Sequence, residues 1–372
     1  MIYLSGLFLF TFPENSPTAH PASNALTVTV RNKICSFLKI GEEFIKEGRK
    51  IVSVIFSWSY FLLINDAGEA YLVGYLDGKS NQILKLVPPD KGFIVEAACG
   101  IKNCHLVTKE GNYWLFYKST RTWKNLNQVL NAERPESSID EDDRIVITKV
   151  ACGNNVNLAV DNLGSLFSVP SRLDLGARLQ VCAVACGKEH SLILTTEHTV
   201  YTWGIGSRGQ LGHGSVDDEQ HPRQVAALCG LQVTAVAAGG WHSCCVTDQR
   251  DLYAWGWNAS GQLGFAGEKQ GVDVGERRVI SVLAEPTAVD WPSNTHSTLY
   301  NVSQVACGSR HTVVLLDDNS VWGCGWNRYH QVCAKLPETI FGMSRLAVAP
   351  NLKIKQVVCG EWNTAFIAEE CN

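Results

Sequence analysis

The sequence is poor in charge and in methionine. Only 18% of its 372 residues are charged, its net charge is −4, and it contains 2 Met. A nearly neutral chain lacks the basic excess expected of a domain that binds nucleic-acid phosphates unaided. No apolar run reaches the roughly 18 residues that a membrane-spanning helix needs. These features argue against direct DNA binding and against a membrane protein.

Motifs of common catalytic and ligand sites are also missing. The chain has no G-x-x-x-x-G-K-[ST] loop, no H-E-x-x-H and no G-x-S-x-G. These are the usual signatures of phosphate-binding loops, zinc hydrolases and serine hydrolases. The 14 cysteines form no C-x-x-C pair, which gives a zinc site or a redox dithiol little support. We therefore expect no enzymatic activity, no cofactor and no metal.

An internal repeat dominates what is present. The clearest unit, from Val184 to Gly212, reads V-A-C-G-K-E-H-S, then Y-T-W-G, and ends in G-Q-L-G. It recurs from Val236 to Gly264 and from Val305 to Val332. Weaker copies keep only the first half. The turn residue of each copy, here called the anchor, is Ser57, Gly100, Gly153, Gly187, Gly239, Gly308 or Gly360, with spacings of 34 to 69 residues.

Each unit predicts four short strands separated by tight turns, which is the pattern of a propeller blade. The last copy stops after its first half, and Ile2 to Gly6 resembles the missing third strand, Val200 to Gly204. The sequence thus predicts an all-β, seven-bladed β-propeller over residues 1–372, closed by pairing N-terminal and C-terminal strands in one blade. This interpretation is preferred to a signal peptide for the apolar start. The clear repeats are 181–264 and 302–368, the degenerate repeats are 51–75, 93–116 and 147–170, and 265–300 is an insertion.

Five cysteines share the slot directly before an anchor glycine: Cys99, Cys152, Cys186, Cys307 and Cys359. A free cysteine in such a slot behaves as a small buried hydrophobe. Free thiols at this density suit a reducing compartment, the cytosol or the nucleus.

The V-A-C-G-x-x-H-S and Y-x-W-G…G-Q-L-G strings, recurring in phase, resemble the regulator of chromosome condensation repeat family. The resemblance implies a seven-bladed propeller and, from its small animal members, an adaptor that partners a JmjC-domain oxygenase acting on histones or other chromatin proteins. It also implies a location in the nucleus or cytoplasm and association with chromosomes. An alternative from the founding member is a guanine-nucleotide exchange factor for a Ran-type GTPase. A second alternative is a propeller enzyme with an axial site.

One slot, three residues after the anchor, holds His190, His242 and His311, with Asn103 and Asn363 in other copies. Asparagine is a poor metal ligand but a good hydrogen-bonding residue. We therefore predict that each histidine stabilises its own turn by bonding to the backbone, and that none binds a metal.

The residue two positions after the anchor lies at the tip of a turn that every blade projects from the same face. These tips are Ser59, Lys102, Asn155, Glu189, Trp241, Arg310 and Trp362. Two tryptophans and an arginine match the composition of binding hot spots. The candidate partner-binding residues are therefore Trp241, Trp362, Arg310, Glu189 and Lys102, for a propeller expected to be monomeric. The alternative is that both tryptophans fold back over their own blades.

The other tryptophans of the repeat lie in or next to the third strand of their copies. Trp203 and Trp255 share one blade position and are predicted to pack in the core. Trp257 and Trp326 follow two residues later in their copies, near the next turn, and are expected to be partly exposed. A tryptophan cluster facing one interface, as in the plant ultraviolet receptor of this fold, is not expected, since the repeat positions do not gather these side chains.

Overall fold

The computed structural model describes residues 2–8, 26–27, 38–40, 49–76, 79–132, 145–175, 179–265, 280–292, 300–333 and 335–371. They form seven antiparallel sheets of four or five strands. One short helix, α1 (Asn127–Ala132), and one 3₁₀ turn, Ala226–Leu228, interrupt the strands. In the part of the chain that is described, no helix is long and apolar enough to span a membrane.

The strands follow the chain in order from blade to blade. Strands β1 (Ile2–Phe8), β2 (Leu26–Thr27) and β3 (Leu38–Ile40) come first and belong to the last blade. Blade 1 contains β4 (Ile51–Phe56), β5 (Tyr60–Asn65), β6 (Ala70–Leu76) and β7 (Lys79–Leu86). Blade 2 contains β8 (Ile94–Cys99), β9 (Asn103–Thr108), β10 (Tyr113–Tyr117) and β11 (Thr122–Asn125). Blade 3 contains β12 (Ile147–Cys152), β13 (Asn157–Asp161), β14 (Leu166–Ser168) and β15 (Ser171–Arg172).

The clear repeats form the second half of the ring. Blade 4 contains β16 (Val181–Cys186), β17 (His190–Thr195), β18 (Val200–Gly204) and β19 (Glu219–Gln224). Blade 5 contains β20 (Val233–Ala238), β21 (His242–Thr247), β22 (Leu252–Trp257) and β23 (Val282–Ala288). Blade 6 contains β24 (Val302–Cys307), β25 (His311–Leu316), β26 (Val321–Trp326) and β27 (Thr339–Arg345), and blade 7 contains β28 (Leu352–Cys359) and β29 (Asn363–Glu370) with β1 to β3. The predicted fold class, an all-β propeller of seven blades, is confirmed.

Blade 7 brings the two ends of the described chain into one sheet. Strand β1 pairs antiparallel with β29, and Gly6 lies opposite Asn363. In blade 4 the equivalent pair is Gly204 opposite His190. The register therefore matches the alignment of Ile2–Gly6 with the third strand of the repeat. Closure of the ring through one shared blade stays a prediction, which this pairing supports.

The segment 265–300, predicted as an insertion, includes a strand of the propeller. Its residues Val282–Ala288 form β23, which pairs with β22 as the outer strand of blade 5. Residues 266–279 and 293–299 lie outside the described part. The sequence pattern missed β23 because an outer strand is covered on one side only and its burial does not alternate cleanly.

The core lies between neighbouring blades. Trp255 is fully buried and packs with Leu192 and Val200 of the preceding blade. Trp203 is likewise buried, against Leu158 and Val160 of blade 3. Their predicted core position is confirmed. Burial of such large side chains between sheets stabilises the ring, at about 25 cal/mol for each Å² of apolar surface removed from water.

The buried cysteines serve this packing. All 13 cysteines among the described residues are free thiols, and several are fully buried. Burial raises the pKa of the Cys186 and Cys245 thiols to about 12. Such thiols stay protonated at neutral pH and act as small apolar side chains.

Candidate functional site

The seven anchors meet around the central axis. They line a cavity of about 170 Å³ together with the cysteines of the preceding slot. In the second half of the ring the anchor glycines touch one another. A Cβ atom on Gly308 would collide with Cε1 of His311 and would lie 2.6 Å from the carbonyl oxygen of Gly360 in the next blade. In these blades the anchor must therefore be glycine because a side chain would strike the adjacent blade, whereas blade 1 has Ser57.

Replacing an anchor glycine tests this packing. We expect Gly308→Ala to lower the free energy of unfolding by about 3 kcal/mol, because its methyl group meets backbone and a buried ring that cannot move apart. Gly230→Ala is the control, since nothing lies within 4 Å of its Cβ position and only its φ of +90° is strained. That strain costs about 1 kcal/mol. Urea unfolding of both variants would refute this packing role if Gly308→Ala were no less stable than Gly230→Ala.

The slot histidines connect neighbouring blades. His190 Nε2 lies 2.9 Å from Oγ of Ser243 in blade 5, and Ser243 donates its hydroxyl hydrogen to the carbonyl oxygen of Gln210 in blade 4. Because the hydroxyl donates onward, His190 must donate through Nε2 and carry its proton there. We call this arrangement an inter-blade bridge. It recurs twice, as His242–Thr312–Gln262 and His311–Thr364–Gln331.

These bridges correct one detail of the sequence interpretation. The histidines are structural, as expected, but each bonds a hydroxyl of the next blade rather than the backbone of its own turn. The reason is that Cε1 and Nδ1 of the ring lie next to the anchor glycine, while Nε2 reaches the hydroxyl of the adjacent blade. Burial lowers the pKa of both His190 and His311 to about 4.

On the same face, aromatic and cationic side chains of blades 4 to 7 form a continuous group. Trp241 and Trp257 of blade 5 make an edge-to-face pair with ring centroids 5.5 Å apart. The guanidinium carbon of Arg208, from blade 4, lies 5.0 Å from the centroid of Trp241 and 4.5 Å from that of Trp257. Cations at such distances from an indole face are attracted by its quadrupole.

The group continues into blades 6 and 7 through Arg310. Its guanidinium carbon lies 4.8 Å from the centroid of Trp257 and 4.9 Å from that of Trp326. Trp326 makes a second edge-to-face pair with Trp362, at 5.1 Å. All four tryptophans are half-buried. Each therefore packs against neighbours and still presents surface to solvent.

Lys188 joins the two ends of the group. Its Nζ atom lies 5.0 Å from the centroid of Trp241 and 5.5 Å from that of Trp362, and it forms an ion pair of 2.9 Å with Glu361. Blades 4 and 7 thus meet across the mouth of the axial cavity. The whole set, which we call the tryptophan–cation array, comprises Trp241, Trp257, Trp326, Trp362, Lys188, Arg208 and Arg310.

Four of the five candidate rim residues meet here. Trp241, Trp362 and Arg310 belong to the array, and Glu189 accepts a hydrogen bond of 2.9 Å from Nε1 of Trp241. Lys102 is exposed on blade 2, and no contact joins its side chain to the array among the described residues. Trp241 packs on Trp257 of its own blade as well as on cations of blade 4, whereas the ring and cation contacts of Trp362 are with residues of blades 6 and 4.

The expectation that the repeat tryptophans are not gathered is wrong. The turn tips and the ends of the third strands are separate positions in the sequence. The sequence pattern therefore did not predict that further side chains join the rim, namely Trp257, Trp326, Arg208 and Lys188. Within a blade, the turn tip and the end of the third strand are neighbours. The backbone N–H of Trp257 donates to the carbonyl oxygen of Trp241, and the backbone N–H of Trp326 donates to the carbonyl oxygen of Arg310. The Gly-Trp-Asn string at the end of the third strand of blades 5 and 6 was the available signal.

Among the described residues, one cluster of side chains offers atoms that could coordinate a metal ion. Donor atoms of His242, Cys244 and Cys307 all lie within 4.8 Å of one another. The same His242 is used in an inter-blade bridge, and bridges of the same geometry form at His190 and His311 without this pair of thiols. The geometry therefore fits a packing role, and the expectation that the chain binds no metal stays a prediction.

Comparison with known proteins identifies the repeats. Models of the regulator of chromosome condensation (RCC1) repeat match residues 197–246 and 251–315, and a second model of that repeat matches 181–210, 233–262 and 302–331. The chain therefore contains regulator of chromosome condensation repeats within residues 181–331. All of the matched units lie in blades 4 to 6, which carry most of the array.

Proteins named after the same repeat are among those similar to this chain. RCC1 domain-containing protein 1 is 33% identical in mouse (Mus musculus) and 34% in human (Homo sapiens), over 53% of this chain and 58% of each relative. The match thus spans little more than half the length of those relatives. Prp20p of Saccharomyces cerevisiae superposes over 100% of this chain and 92% of its own, with a TM-score of 0.73 and 16% identity. That likeness concerns the fold alone.

Proposed function

We propose that this propeller is a non-enzymatic scaffold that binds a protein partner through the tryptophan–cation array. The observation that carries the proposal is the array itself: four half-buried tryptophans and three cations on one face. Tryptophan and arginine are the residues most enriched in binding hot spots. Rigid, partly exposed indoles lose little conformational freedom on binding, so such a surface suits protein recognition.

A JmjC-domain oxygenase is the partner we propose. The family resemblance implies it for small single-propeller members, and RCC1 domain-containing protein 1 is among the relatives of this chain. In that role the propeller positions the partner near histones or other chromatin proteins, and the partner carries out the chemistry. The scaffold would then act as a monomer in the nucleus or cytoplasm, with access to chromosomes.

Affinity purification from native cells, followed by mass spectrometry, tests this function. We expect a JmjC-domain protein in stoichiometric amount, and direct binding of the two purified proteins by calorimetry. A control variant with Arg223→Gln and Arg345→Gln, both on outer strands, should capture the same amount of the JmjC-domain protein as the wild-type chain does. The proposal would be abandoned if no protein were captured in stoichiometric amount, or if the two purified proteins did not bind.

Nucleotide exchange is the alternative supported by a specific relative. Prp20p, which shares the fold of this chain, has been characterised for its binding to Gsp1p and histones. If this chain shares an exchange function, adding it to a Ran-type GTPase loaded with a fluorescent nucleotide will speed nucleotide release. No acceleration above the basal rate would eliminate this alternative and leave the scaffold proposal standing.

The enzyme alternative needs an axial site. The ionisable side chains that line the described axial cavity besides thiols are Lys188 and Glu361, and they pair with each other. Metal analysis of the purified protein separates a scaffold from a metal-dependent enzyme. Copper, calcium or zinc bound in stoichiometric amount would contradict the non-enzymatic proposal.

A further inference from the structure

The charges of the array are not balanced. Lys188 is neutralised by Glu361, and the second nearby carboxylate, Glu189, accepts a hydrogen bond from Trp241. Arg208 and Arg310 form no ion pair with any carboxylate of the described residues. Two guanidinium groups are thus held on the partner-facing surface with only indole rings against them.

These two cations also pack on one indole ring. Both guanidinium carbons lie within 5 Å of the centroid of the same ring, Trp257, at 4.5 and 4.8 Å. Desolvation by burial and the charge of Arg208 lower the pKa of Arg310. The Nε atom of Arg310 is buried and has no hydrogen-bond partner among the described residues. Carboxylates placed beside the two guanidinium groups would offset their repulsion.

We infer that the array binds an acidic segment of its protein partner, whose carboxylates pair with Arg208 and Arg310. The planar guanidinium fork suits bidentate binding of a carboxylate, and the flanking indoles exclude water from such a pair. A single-stranded nucleic acid would also use aromatic and basic side chains. It needs a longer basic track, whereas this chain has a net charge of −4 and Lys188 is already paired. The inference rests on the proposed function, because it names the chemistry of the same partner.

The experiment uses the full chain and two matched peptides. One is a short fluorescein-labelled peptide of alternating Glu and Leu, and the other has Gln in place of Glu. We expect tighter binding of the Glu peptide by fluorescence anisotropy, weakening as salt is added. The variant with Arg208→Gln and Arg310→Gln should bind it at least about tenfold more weakly.

The control removes the same charge from the same two blades. Arg223 and Arg345 lie on the outer strands β19 and β27, so Arg223→Gln with Arg345→Gln should leave peptide binding unchanged. Melting temperatures of both double variants establish that they are folded. The inference is overturned if the Gln peptide binds equally well, if the two double variants behave alike, or if an oligothymidylate of equal charge binds more tightly than the Glu peptide.

Partner capture separates this inference from the proposed function. If Trp241→Ala with Trp362→Ala stops capture of the native partner and the Arg208 and Arg310 variant does not, the rim binds a partner whose recognition is not acidic. The inference then fails and the proposed function survives. If neither pair of substitutions reduces capture, both fail.

Discussion

Lowering the pH from 7 to 5 is expected to remove about 5 to 6 kcal/mol of the propeller's stability through three buried histidines. Burial lowers the pKa of His105, His190 and His311 to about 4 in the folded state. In the unfolded chain the same side chains have a pKa near 6.5. The unfolded state therefore binds more protons, and stability falls as the pH drops from about 6.5 toward 4. Each histidine accounts for about 2 kcal/mol of the loss at pH 5.

Urea unfolding at pH 7, 6 and 5 measures this effect. His190→Asn and His311→Asn are the informative variants, because Asn363 already fills the same slot in blade 7. Each variant should be less stable at pH 7, since it alters an inter-blade bridge, but it should lose about 2 kcal/mol less than the wild type on going to pH 5. His221→Asn, at an exposed position of an outer strand, should keep the full loss. Equal stability of the wild type at pH 7 and pH 5 would show that the buried histidines do not control acid unfolding.

Much of the fold could be predicted because each repeat unit specifies the strands and turns of one blade. Anchor glycines, slot histidines and the Trp-Gly pairs reflect contacts that several blades share, so they recur in phase. The partners of those contacts lie in the next blade, about 50 residues away, as His190 and Ser243 do. Each of these hydroxyls directly follows the slot residue of the next copy, but the repeat pattern alone does not show that the two positions face each other. That is why the structural role was predicted correctly and the bonding partner was not.

The candidate site was only partly predictable for a related reason. Trp241, Trp362, Arg310 and Glu189 share one repeat position, and reading that position in register found them. Arg208 lies in the loop after β18, and its place beside Trp257 depends on the packing of blade 4 on blade 5. Lys102 shares the register but lies across the ring in a degenerate blade. The repeat position of a residue predicts the face of the propeller on which it lies. Whether that residue contacts the array depends on the side chains of the adjacent blades.

Replacing Trp241 and Trp362 by alanine together is expected to weaken partner binding by about 100-fold or more. Hot-spot aromatic residues lose at least about 2 kcal/mol each when truncated, and these two lie at opposite ends of the array. Both also hold cations in place: Lys188 contacts both indoles, and Arg208 and Arg310 contact one each at 5.0 and 6.0 Å. Loss of the indoles should therefore release the cations as well as remove apolar contact.

The fold should survive this double substitution. Each tryptophan contributes one edge-to-face pair and its cation contacts to the free energy of folding, about 1 to 2 kcal/mol in all. A matched control is Trp114→Ala with Trp123→Ala, an edge-to-face pair at 6.4 Å on the outer part of blade 2. It should cost similar stability and leave partner binding intact. Calorimetric titration and melting curves of both variants decide the matter. If the melting temperature collapses only for the Trp241 and Trp362 variant, or if both variants bind the partner normally, these indoles are packing residues and the array is not the binding surface.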